Sequence, residues 1–386
     1  MRKLSGFGVA CLAAVLAVGY GCGGGQPPAK VVSIGMILPI TGPAASAGNE
    51  AYQAIQLAIE DANAAGRLGS YQLRLVARDD VSDPKQAVSS AKDLASNPDV
   101  LGIIAHFNSG CYLPASRVYH ENQVAAITPA ATNPEITLQG YPEIHRIVTT
   151  DQVQGEAMGQ YISARGLKRL AIIHDKTQYG EGIAKVVRAA SSGAGVEVVS
   201  FDGIQVGDKD FRAILTAVRG KKPDGVFFGG LYDEGGLLVK QMRELGMAQT
   251  FFGPDGIKGK DFTDVAGAAS NGSIVSFVGK PIDQMTTAKS FLANYEKRFG
   301  RPVENFGPYA YDVAGIFIAV LEKIVQRGDA PTRAGVLSEL KKIQYPGVIG
   351  QTEFDEHGDT KNKAISFYRV ENGQFVFVEA TGDLSS

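Results

Sequence analysis

The stretch Val100–Thr137, VLGIIAHFNSGCYLPASRVYHENQVAAITPAATNPEIT, sets the pattern for the whole chain. An apolar, β-rich run leads into a polar turn, a segment with helical spacing, a second apolar run and another polar turn. This order predicts a strand, a helix and a second, parallel strand. Parallel sheets bind their ligands beyond the carboxyl ends of the strands. The two turns, Ser109-Gly110 and Ala130-Ala131-Thr132, are therefore predicted to form a ligand site.

The alternation of strands and helices extends to both sides of this unit. Upstream, residues 30–38 read as a strand, residues 51–65 as a helix, and Ser82 or Asp83 as the N-cap of a further helix. Downstream, a second series begins with a helix at Gln152 and contains predicted strands over 169–174 and 225–229. Two such series predict an α/β protein with two doubly wound, Rossmann-like domains.

The pattern resets near residues 273–281, where two long helices and then a set of terminal strands follow. We interpret this reset as the chain crossing back to the first domain, with a return near His357. The predicted N-terminal lobe comprises residues 31–149 and 280–356, and the predicted C-terminal lobe comprises residues 150–279 and 357–386. A hinge of several crossings would restrict the lobes to opening and closing about one axis.

Residues 1–21 have the features of a signal peptide. Met1-Arg2-Lys3 is basic, Phe7–Val18 is apolar, and the apolar run is too short to remain as a membrane span. Small residues favour cleavage between Gly21 and Cys22, a bond that also resembles a bacterial lipoprotein box, although Tyr20 is unusual there. We expect a lipid on Cys22 and a tether over residues 22–30. Secretion without a lipid is the alternative.

Composition and cysteine content restrict the class of protein. With 44% hydrophobic and 20% charged residues, the 386-residue chain is globular and long enough for two domains. A net charge of −2 without a run of lysine or arginine argues against nucleic-acid binding. Cys11 would leave with the signal peptide and Cys22 would be acylated, so Cys111 has no partner for an intramolecular disulfide.

The sequence gives little support for catalysis, metal binding or a cofactor. Gly180-Glu181-Gly182 lacks the third glycine of a dinucleotide fingerprint, and the five histidines have no metal-ligand spacing. His106 and His174 each end an apolar strand, which favours capping or hinge-lining roles over ligand contact. Cys111 is predicted to be a buried thiol, and Asp79-Asp80 to be turn residues. We therefore expect ligand binding without turnover, metal or cofactor.

Several runs of the sequence resemble the leucine/isoleucine/valine-binding family, the type I periplasmic substrate-binding proteins of branched-chain amino acid ABC transporters. They occur in order and cover about Val31 to Asp359. The runs are DDVSDPKQAV, ITPAATNPEIT, IIHDKTQYGEG, FDGI with GDKDF, GPDG and FDEHGD. The resemblance implies the type I periplasmic-binding-protein fold, in which two lobes close over one ligand.

The resemblance also implies roles for the two turns of the first lobe. Ser109 matches the serine that binds the ligand carboxylate. Ala130 matches a residue whose backbone carbonyl faces the ammonium group, and Thr132 matches one that gives hydroxyl and amide contacts. Ala131 lies in the same loop. A zwitterion needs donors at one end and an acid or carbonyls at the other, which is the chemistry that these residues would supply.

Further ligand-binding residues are implied by the remaining runs. Tyr179 matches a tyrosine that closes on the ligand, and Asp255 stands where the family often has a glutamate facing the ammonium group. Phe306 matches an aromatic residue of the side-chain pocket. The chain departs from the family at two pocket tyrosines, where it has Ala47 and Leu231. These departures leave the preferred ligand side chain open.

The function expected from this resemblance is that of an extracytoplasmic solute-binding protein of an ABC importer, with leucine, isoleucine or valine as the ligand. The expected partners are an ABC permease with its ATPase subunits and, through the lipid, a membrane, and we expect a monomer. Other ligands, namely another amino acid, a short amide or urea, would suit the same fold. A sensor domain that signals without delivering its ligand is an alternative of another class, and an enzyme is a third.

Overall fold

The computed structural model describes residues 30–381, and every structural statement below concerns that range. The first part of the chain alternates strands with helices. Its strands are β1 (Lys30–Leu38), β2 (Tyr71–Asp79), β3 (Val100–Ala105), β4 (Ala125–Thr128) and β5 (Ile144–Arg146). Its helices are α1 (Ala45–Ala64), α2 (Pro84–Ser96), α3 (Ser109–Glu121) and α4 (Glu135–Leu138). The five strands form one parallel sheet in the order β2-β1-β3-β4-β5.

The second part of the chain repeats this alternation. Its helices are α5 (Asp151–Ala164), α6 (Gly180–Gly193), α7 (Arg212–Gly220), α8 (Tyr232–Glu244) and α9 (Lys260–Ala266). Its strands are β6 (Arg169–His174), β7 (Glu197–Gly203), β8 (Gly225–Gly229), β9 (Thr250–Gly253) and β10 (Ile274–Val278). The predicted strands over 169–174 and 225–229 are confirmed to the residue.

The third part of the chain contributes to both halves. It contains α10 (Lys289–Phe299), α11 (Gly307–Gln326), α12 (Arg333–Leu340) and the hairpin of β11 (Tyr345–Gly347) with β12 (Gly350–Thr352). The Phe317 ring of α11 packs over Gly102 of the first sheet. The last strands are β13 (Ile365–Glu371) and β14 (Gln374–Thr381). They are antiparallel additions to the second sheet, whose order is β14-β13-β10-β9-β8-β6-β7.

The two sheets support the predicted division into lobes, whose boundaries we retain as a proposal. The chain passes between the sheets after β5 and after β10. A third passage follows residues 358–360, which still lie against the first sheet. There the backbone N–H of Arg146 donates to the Gly358 carbonyl, and the N–H of Thr360 donates to the Arg146 carbonyl, both at 2.9 Å. Three connecting segments between two rigid sheets form a hinge.

Two helices begin earlier than the sequence predicts. Helix α1 begins at Ala45, whereas the sequence predicts a start at Ala51. Helix α8 begins at Tyr232, whereas the sequence predicts a loop over residues 229–236 and a helix from Leu237 to Leu245. The glycines in both segments are typical of loops, but here they allow the helix to pack closely against its neighbours. A Cβ at Gly48 would lie 1.9 Å from the Pro39 carbonyl oxygen, and one at Gly235 would lie 2.6 Å from Ile257 Cδ1. These helices can approach their neighbours only without a side chain at those positions.

No helix between residues 30 and 381 is both long and apolar enough to cross a membrane. The predicted signal peptide, Cys22 and most of the predicted tether lie outside the described residues.

Candidate functional site

The two predicted turns of the first lobe lie side by side at the carboxyl ends of β3 and β4. Ser109 is the first residue of α3, and its Oγ accepts a hydrogen bond from the Asn133 backbone N–H at 3.3 Å. Thr128 shapes the second turn, because its hydroxyl accepts from the N–H groups of Ala130 and Ala131 at 3.1 and 2.8 Å. The turns are thus joined and held in place. The N–H groups of the first turn of α3 favour an anionic group at this position.

Tyr179 and Asp255 face these turns from the second lobe. Tyr179 precedes α6, and Asp255 opens a 3₁₀ turn after β9. The Tyr179 hydroxyl donates to Asp255 Oδ1 at 2.6 Å and accepts from the Gly256 N–H at 2.9 Å. With its amide turned so that both of its ends are paired, Gln154 donates to the same carboxylate at 2.9 Å and accepts from the Asp255 backbone N–H at 3.1 Å. Burial raises the pKa of Asp255 to about 6, despite these hydrogen bonds.

One cavity between the lobes brings together all seven ligand-binding residues that the sequence comparison implied. Its wall surrounds about 290 Å³ of space between atoms, part of which is open to solvent. The seven residues are Ser109, Ala130, Ala131, Thr132, Tyr179, Asp255 and Phe306. Four further residues complete the wall, namely Phe107, Asn108, Leu231 and Gly256. Tyr179 and Asp255 come from the second lobe, and the other five residues come from the first. The cavity therefore exists only when the lobes are closed.

The cavity wall combines polar groups from both lobes with apolar side chains. The first lobe supplies the Ser109 hydroxyl at the N-terminus of α3, and the second supplies the Asp255 carboxylate. The Phe306 ring contacts the Phe107 ring edge-to-face, with centroids 5.2 Å apart. Such a cavity can hold a small zwitterion with an apolar side chain. No group of three or more His, Cys, Asp or Glu side chains within residues 30–381 could hold a metal ion.

Asp151 is a buried acid near the site that sequence reasoning missed. It is the first residue of α5, and its N–H donates to the Thr132 carbonyl at 2.9 Å. Within residues 30–381, its carboxylate and the Thr132 hydroxyl make no hydrogen bond of regular geometry. Burial, and then the nearby charge of Asp255, raise the pKa of Asp151 to about 8. In the sequence, an aspartate after Thr149-Thr150 reads as an ordinary helix start, so its proximity to Asp255 gave no signal.

The remaining residues considered in the sequence lie outside the cavity. His106 is fully buried, with Nδ1 2.7 Å from Asp80 and Nε2 2.7 Å from the Tyr119 hydroxyl. His174 Nδ1 accepts from the Lys176 N–H at 3.2 Å, so it acts as a local cap. Cys111 is buried, and burial raises the pKa of its thiol. These contacts fit the predicted structural roles of both histidines and the predicted buried thiol.

The Asp79-Asp80 pair is confirmed as turn structure. Asp79 Oδ1 accepts from the N–H groups of Ile40 and Val81, both at 2.9 Å. Asp80 accepts from the Ser82 N–H at 3.1 Å in addition to its contact with His106. Both carboxylates are therefore committed to holding the strand ends in place.

Comparisons with known proteins agree with this fold and site. A family model described as periplasmic binding protein matches residues 31–374. The Leu/Ile/Val-binding protein homolog 1 of Brucella abortus is 35% identical over 374 residues, which cover 97% of each chain. The leucine-, isoleucine-, valine-, threonine-, and alanine-binding protein of Pseudomonas aeruginosa is 34% identical over 341 residues, covering 88% of this chain and 90% of that protein.

Solved structures show the same architecture. The branched-chain amino acid transporter substrate-binding protein LivJ of Streptococcus pneumoniae, in complex with isoleucine, superimposes with a TM-score of 0.83 at 26% identity. The match covers 90% of this chain and 99% of that one. A leucine-binding protein, LivK, of Thermotoga maritima has the same TM-score at 27% identity and covers 90% and 98% of the two chains. The fold is therefore that of the type I periplasmic binding proteins.

Proposed function

We propose that this chain, which belongs to the periplasmic binding protein family, captures a branched-chain amino acid for an ABC importer. The observation that carries the proposal is the cavity between the lobes, which Ser109 lines from the first lobe and Asp255 from the second. A free α-amino acid has a carboxylate that the Ser109 hydroxyl can bind and an ammonium group that the Asp255 carboxylate can bind, and Phe306 and Phe107 offer apolar contacts for its side chain.

In the proposed complex, the ligand carboxylate accepts hydrogen bonds from the Ser109 hydroxyl and from backbone N–H groups at the start of α3. The ammonium group lies between the Asp255 carboxylate, the Ala130 carbonyl and the Thr132 hydroxyl. Tyr179 covers the ligand from the second lobe. The Thr132 hydroxyl supports this arrangement, because it lies beside the buried Asp151 carboxylate without a hydrogen bond of regular geometry, so its oxygen can accept from a ligand ammonium.

Closure would produce the form of the protein that the permease recognises as carrying a ligand. Hydrogen bonds between the lobes support the closed arrangement: Asn133 Nδ2 donates to the Gln178 carbonyl at 3.0 Å, and the Tyr232 hydroxyl donates to the Pro43 carbonyl at 3.1 Å. An amino acid that touches both lobes has a higher affinity for the closed form and shifts the equilibrium toward it by that difference.

The family places such proteins outside the cytoplasm. We further propose that a lipid on Cys22 anchors this chain to a membrane and that the monomer delivers its ligand to a permease driven by ATPase subunits. The sequence around Gly21-Cys22 supports the anchor. Mass spectrometry of the N-terminal peptide from the native membrane fraction would test it, since an unmodified Cys22 or cleavage at another bond would contradict acylation.

The ligand proposal is tested by thermal unfolding of protein that begins at Gly23 and has been stripped of bound ligand by unfolding and refolding. A ligand present at about 100 times its Kd adds roughly 2.7 kcal/mol to the free energy of unfolding. For a protein of this size, that is a Tm rise of a few degrees. We expect a rise with leucine, isoleucine and valine and none with acetamide or urea, which lack the carboxylate.

Two results would change the proposal. A Tm rise confined to other amino acids would keep the transport role and replace the ligand, whereas no rise with any amino acid would refute the zwitterion site. Recovery of the bound ligand chemically unchanged is expected, and a modified product would point to an enzyme instead.

A further inference from the structure

A second cavity adjoins the first and shares four of its wall residues. About 430 Å³ of space between atoms lies there, between the lobes and partly open to solvent. The shared residues are Phe107, Asp255, Gly256 and Phe306. The side chain of a ligand that lies against Phe306 is therefore directed toward this second space. We call the second cavity the annex.

The far wall of the annex is charged, unlike the wall that the two cavities share. Five ionisable side chains line it, namely Glu50, Lys258, Asp261, Arg301 and Glu304. An aliphatic side chain cannot form hydrogen bonds with these charged groups, so they would remain hydrated beside it. The annex thus has the character of a subsite for a polar group.

Several of these groups have hydrogen-bonding capacity that the protein does not use. Arg301 Nη2 donates to Gln53 Oε1 at 2.9 Å and the guanidinium also contacts the Tyr295 hydroxyl, yet a guanidinium has five N–H donors. Glu304 Oε2 accepts from the Lys260 N–H at 2.9 Å, yet a carboxylate has about four acceptor sites. Glu50 is different, because three backbone N–H groups already satisfy its carboxylate. Arg301 and Glu304 therefore offer a donor and an acceptor to a ligand.

Access to the annex depends on a small residue. Ala47 lies on α1, is half-buried, and lines the annex but not the first cavity. A large side chain at this position would occupy part of the 430 Å³. Tyr232 lines the annex next to Ala47, where its hydroxyl donates to the Pro43 carbonyl at 3.1 Å and lies beside the Ala47 backbone.

We infer that the annex receives the end of the ligand's side chain, and that the ligands of this protein include L-α-amino acids whose side chain ends in a neutral hydrogen-bonding group, such as an amide. A neutral amide suits the annex because it donates and accepts at once, whereas a full charge of either sign would meet a like charge, since two cations and four acids, Asp255 included, line the wall. The inference rests on the proposed function, since the amino acid backbone is held in the first cavity.

The test is titration calorimetry on refolded protein with leucine, glutamine and methionine, where methionine is a long apolar control. We expect glutamine to bind with a Kd no more than about tenfold above that of leucine, because the annex supplies hydrogen bonds in place of those that the amide loses to water. A larger ratio of the two Kd values would overturn the inference. Absence of binding by every amino acid would instead refute the proposed function itself.

The variant Ala47→Phe tests whether the amide group of glutamine binds in the annex. We expect it to raise the ratio of the glutamine Kd to the leucine Kd by about tenfold or more, since a ring in the annex excludes the amide and leaves the first cavity free. Ala64→Phe is the matched control, because Ala64 is exposed at the end of the same helix. A smaller change in the ratio for Ala47→Phe would overturn the inference.

A second variant covers the case in which Ala47→Phe fails to fold. Arg301→Met keeps the length of the side chain and removes the donors, so it should weaken glutamine binding and leave leucine binding within about threefold. Equal losses for both ligands would overturn the annex as a side-chain subsite.

Discussion

Lys258 and Asn305 hold each other across the cleft through two reciprocal hydrogen bonds. Lys258 Nζ donates to Asn305 Oδ1 at 2.9 Å, and Asn305 Nδ2 donates to the Lys258 carbonyl. Lys258 belongs to the turn that follows β9, and Asn305 precedes α11, so the pair joins the two lobes. The Lys258 ammonium also lies 4.8 Å from the ring centroids of Phe277 and Tyr368. The pair is therefore a built-in contact of the closed state.

Replacement of Asn305 should weaken closure. Asn305→Ala removes both hydrogen bonds, and a bond to a charged group contributes about 1.5–3 kcal/mol. Because those contacts exist only when the lobes are closed, we expect ligand affinity to fall roughly tenfold to a hundredfold through faster dissociation. Stopped-flow release of ligand would measure the rate. Small-angle X-ray scattering should show a larger radius of gyration at subsaturating ligand.

The control for this experiment is Asn271→Ala, at an exposed position whose side chain makes no bond between lobes. Equal dissociation rates for Asn305→Ala and the control would show that the pair does not stabilise the closed state.

Removal of the Asp255 carboxylate should abolish high affinity for amino acids. Asp255→Asn keeps the shape of the side chain and its contact with Tyr179 but removes the charge proposed to face the ligand ammonium. Loss of one partner of a buried charged pair costs about 2–5 kcal/mol. Titration calorimetry would measure the change, and Asp99→Asn, an exposed substitution of the same type, serves as the control. Unchanged affinity in Asp255→Asn would remove this residue from the ligand site.

Ligand binding should release protons near pH 6. Burial raises the pKa of Asp255 to about 6, and burial with the charge of Asp255 raises that of Asp151 to about 8. A bound ammonium favours the ionised carboxylates and lowers both pKa values, so affinity should rise between about pH 5 and 7. Calorimetry at pH 6 in buffers with different ionisation enthalpies counts the protons. An observed enthalpy that is independent of the buffer would contradict this coupling.

The same two carboxyls predict the pH dependence of the empty protein. Their folded-state pKa values lie above the ordinary value of 3.8, so the folded state binds protons more tightly than the unfolded state. Their contribution to stability is present at low pH and is lost as the pH rises through about 6 and then about 8. Asp151→Asn should therefore flatten the decline of Tm with pH at the upper end of this range. A decline that is unaltered would remove Asp151 from the coupling.

Loss of Arg146 should destabilise the fold more than loss of a surface arginine. Arg146 is fully buried, its Nη2 lies 2.6 Å from Asp359, and its Nη1 donates to the Asn133 carbonyl beside the ligand loop. Breaking a buried pair costs about 3–5 kcal/mol, because the remaining charge has no partner. Arg146→Ala should lower the urea midpoint accordingly. Arg298→Ala, which breaks an exposed pair with Glu60, should leave the midpoint almost unchanged. Similar midpoints for the two variants would contradict the structural role of Arg146.

Local patterns predicted the strands that position the site. The bounds of β6 and β8 were correct to the residue because each is an apolar run ended by turn residues. The turns at Ser109 and Thr132 followed from the same reasoning, since a ligand site lies at the carboxyl ends of parallel strands. Tyr179 and Asp255 came from the family resemblance instead, because nothing local distinguishes a tyrosine and an aspartate in polar turns.

Local patterns failed where packing decides the conformation. The starts of α1 and α8 were wrong because Gly48 and Gly235 permit close approach to neighbouring segments, which a sequence does not display. Asp151 was missed because it lies near Asp255 only in the folded protein. The two residues are more than 100 positions apart in the sequence.

The sequence by itself determined the order of strands, turns and helices, the α/β class and the two turns of the first lobe, because hydrophobic period and turn chemistry are local properties. Only the tertiary structure decided the pairing of Lys258 with Asn305, the annex next to Phe306 and the raised pKa values of Asp151 and Asp255. The physical reason is that desolvation, charge interaction and cavity shape depend on which distant segments meet when the two lobes close.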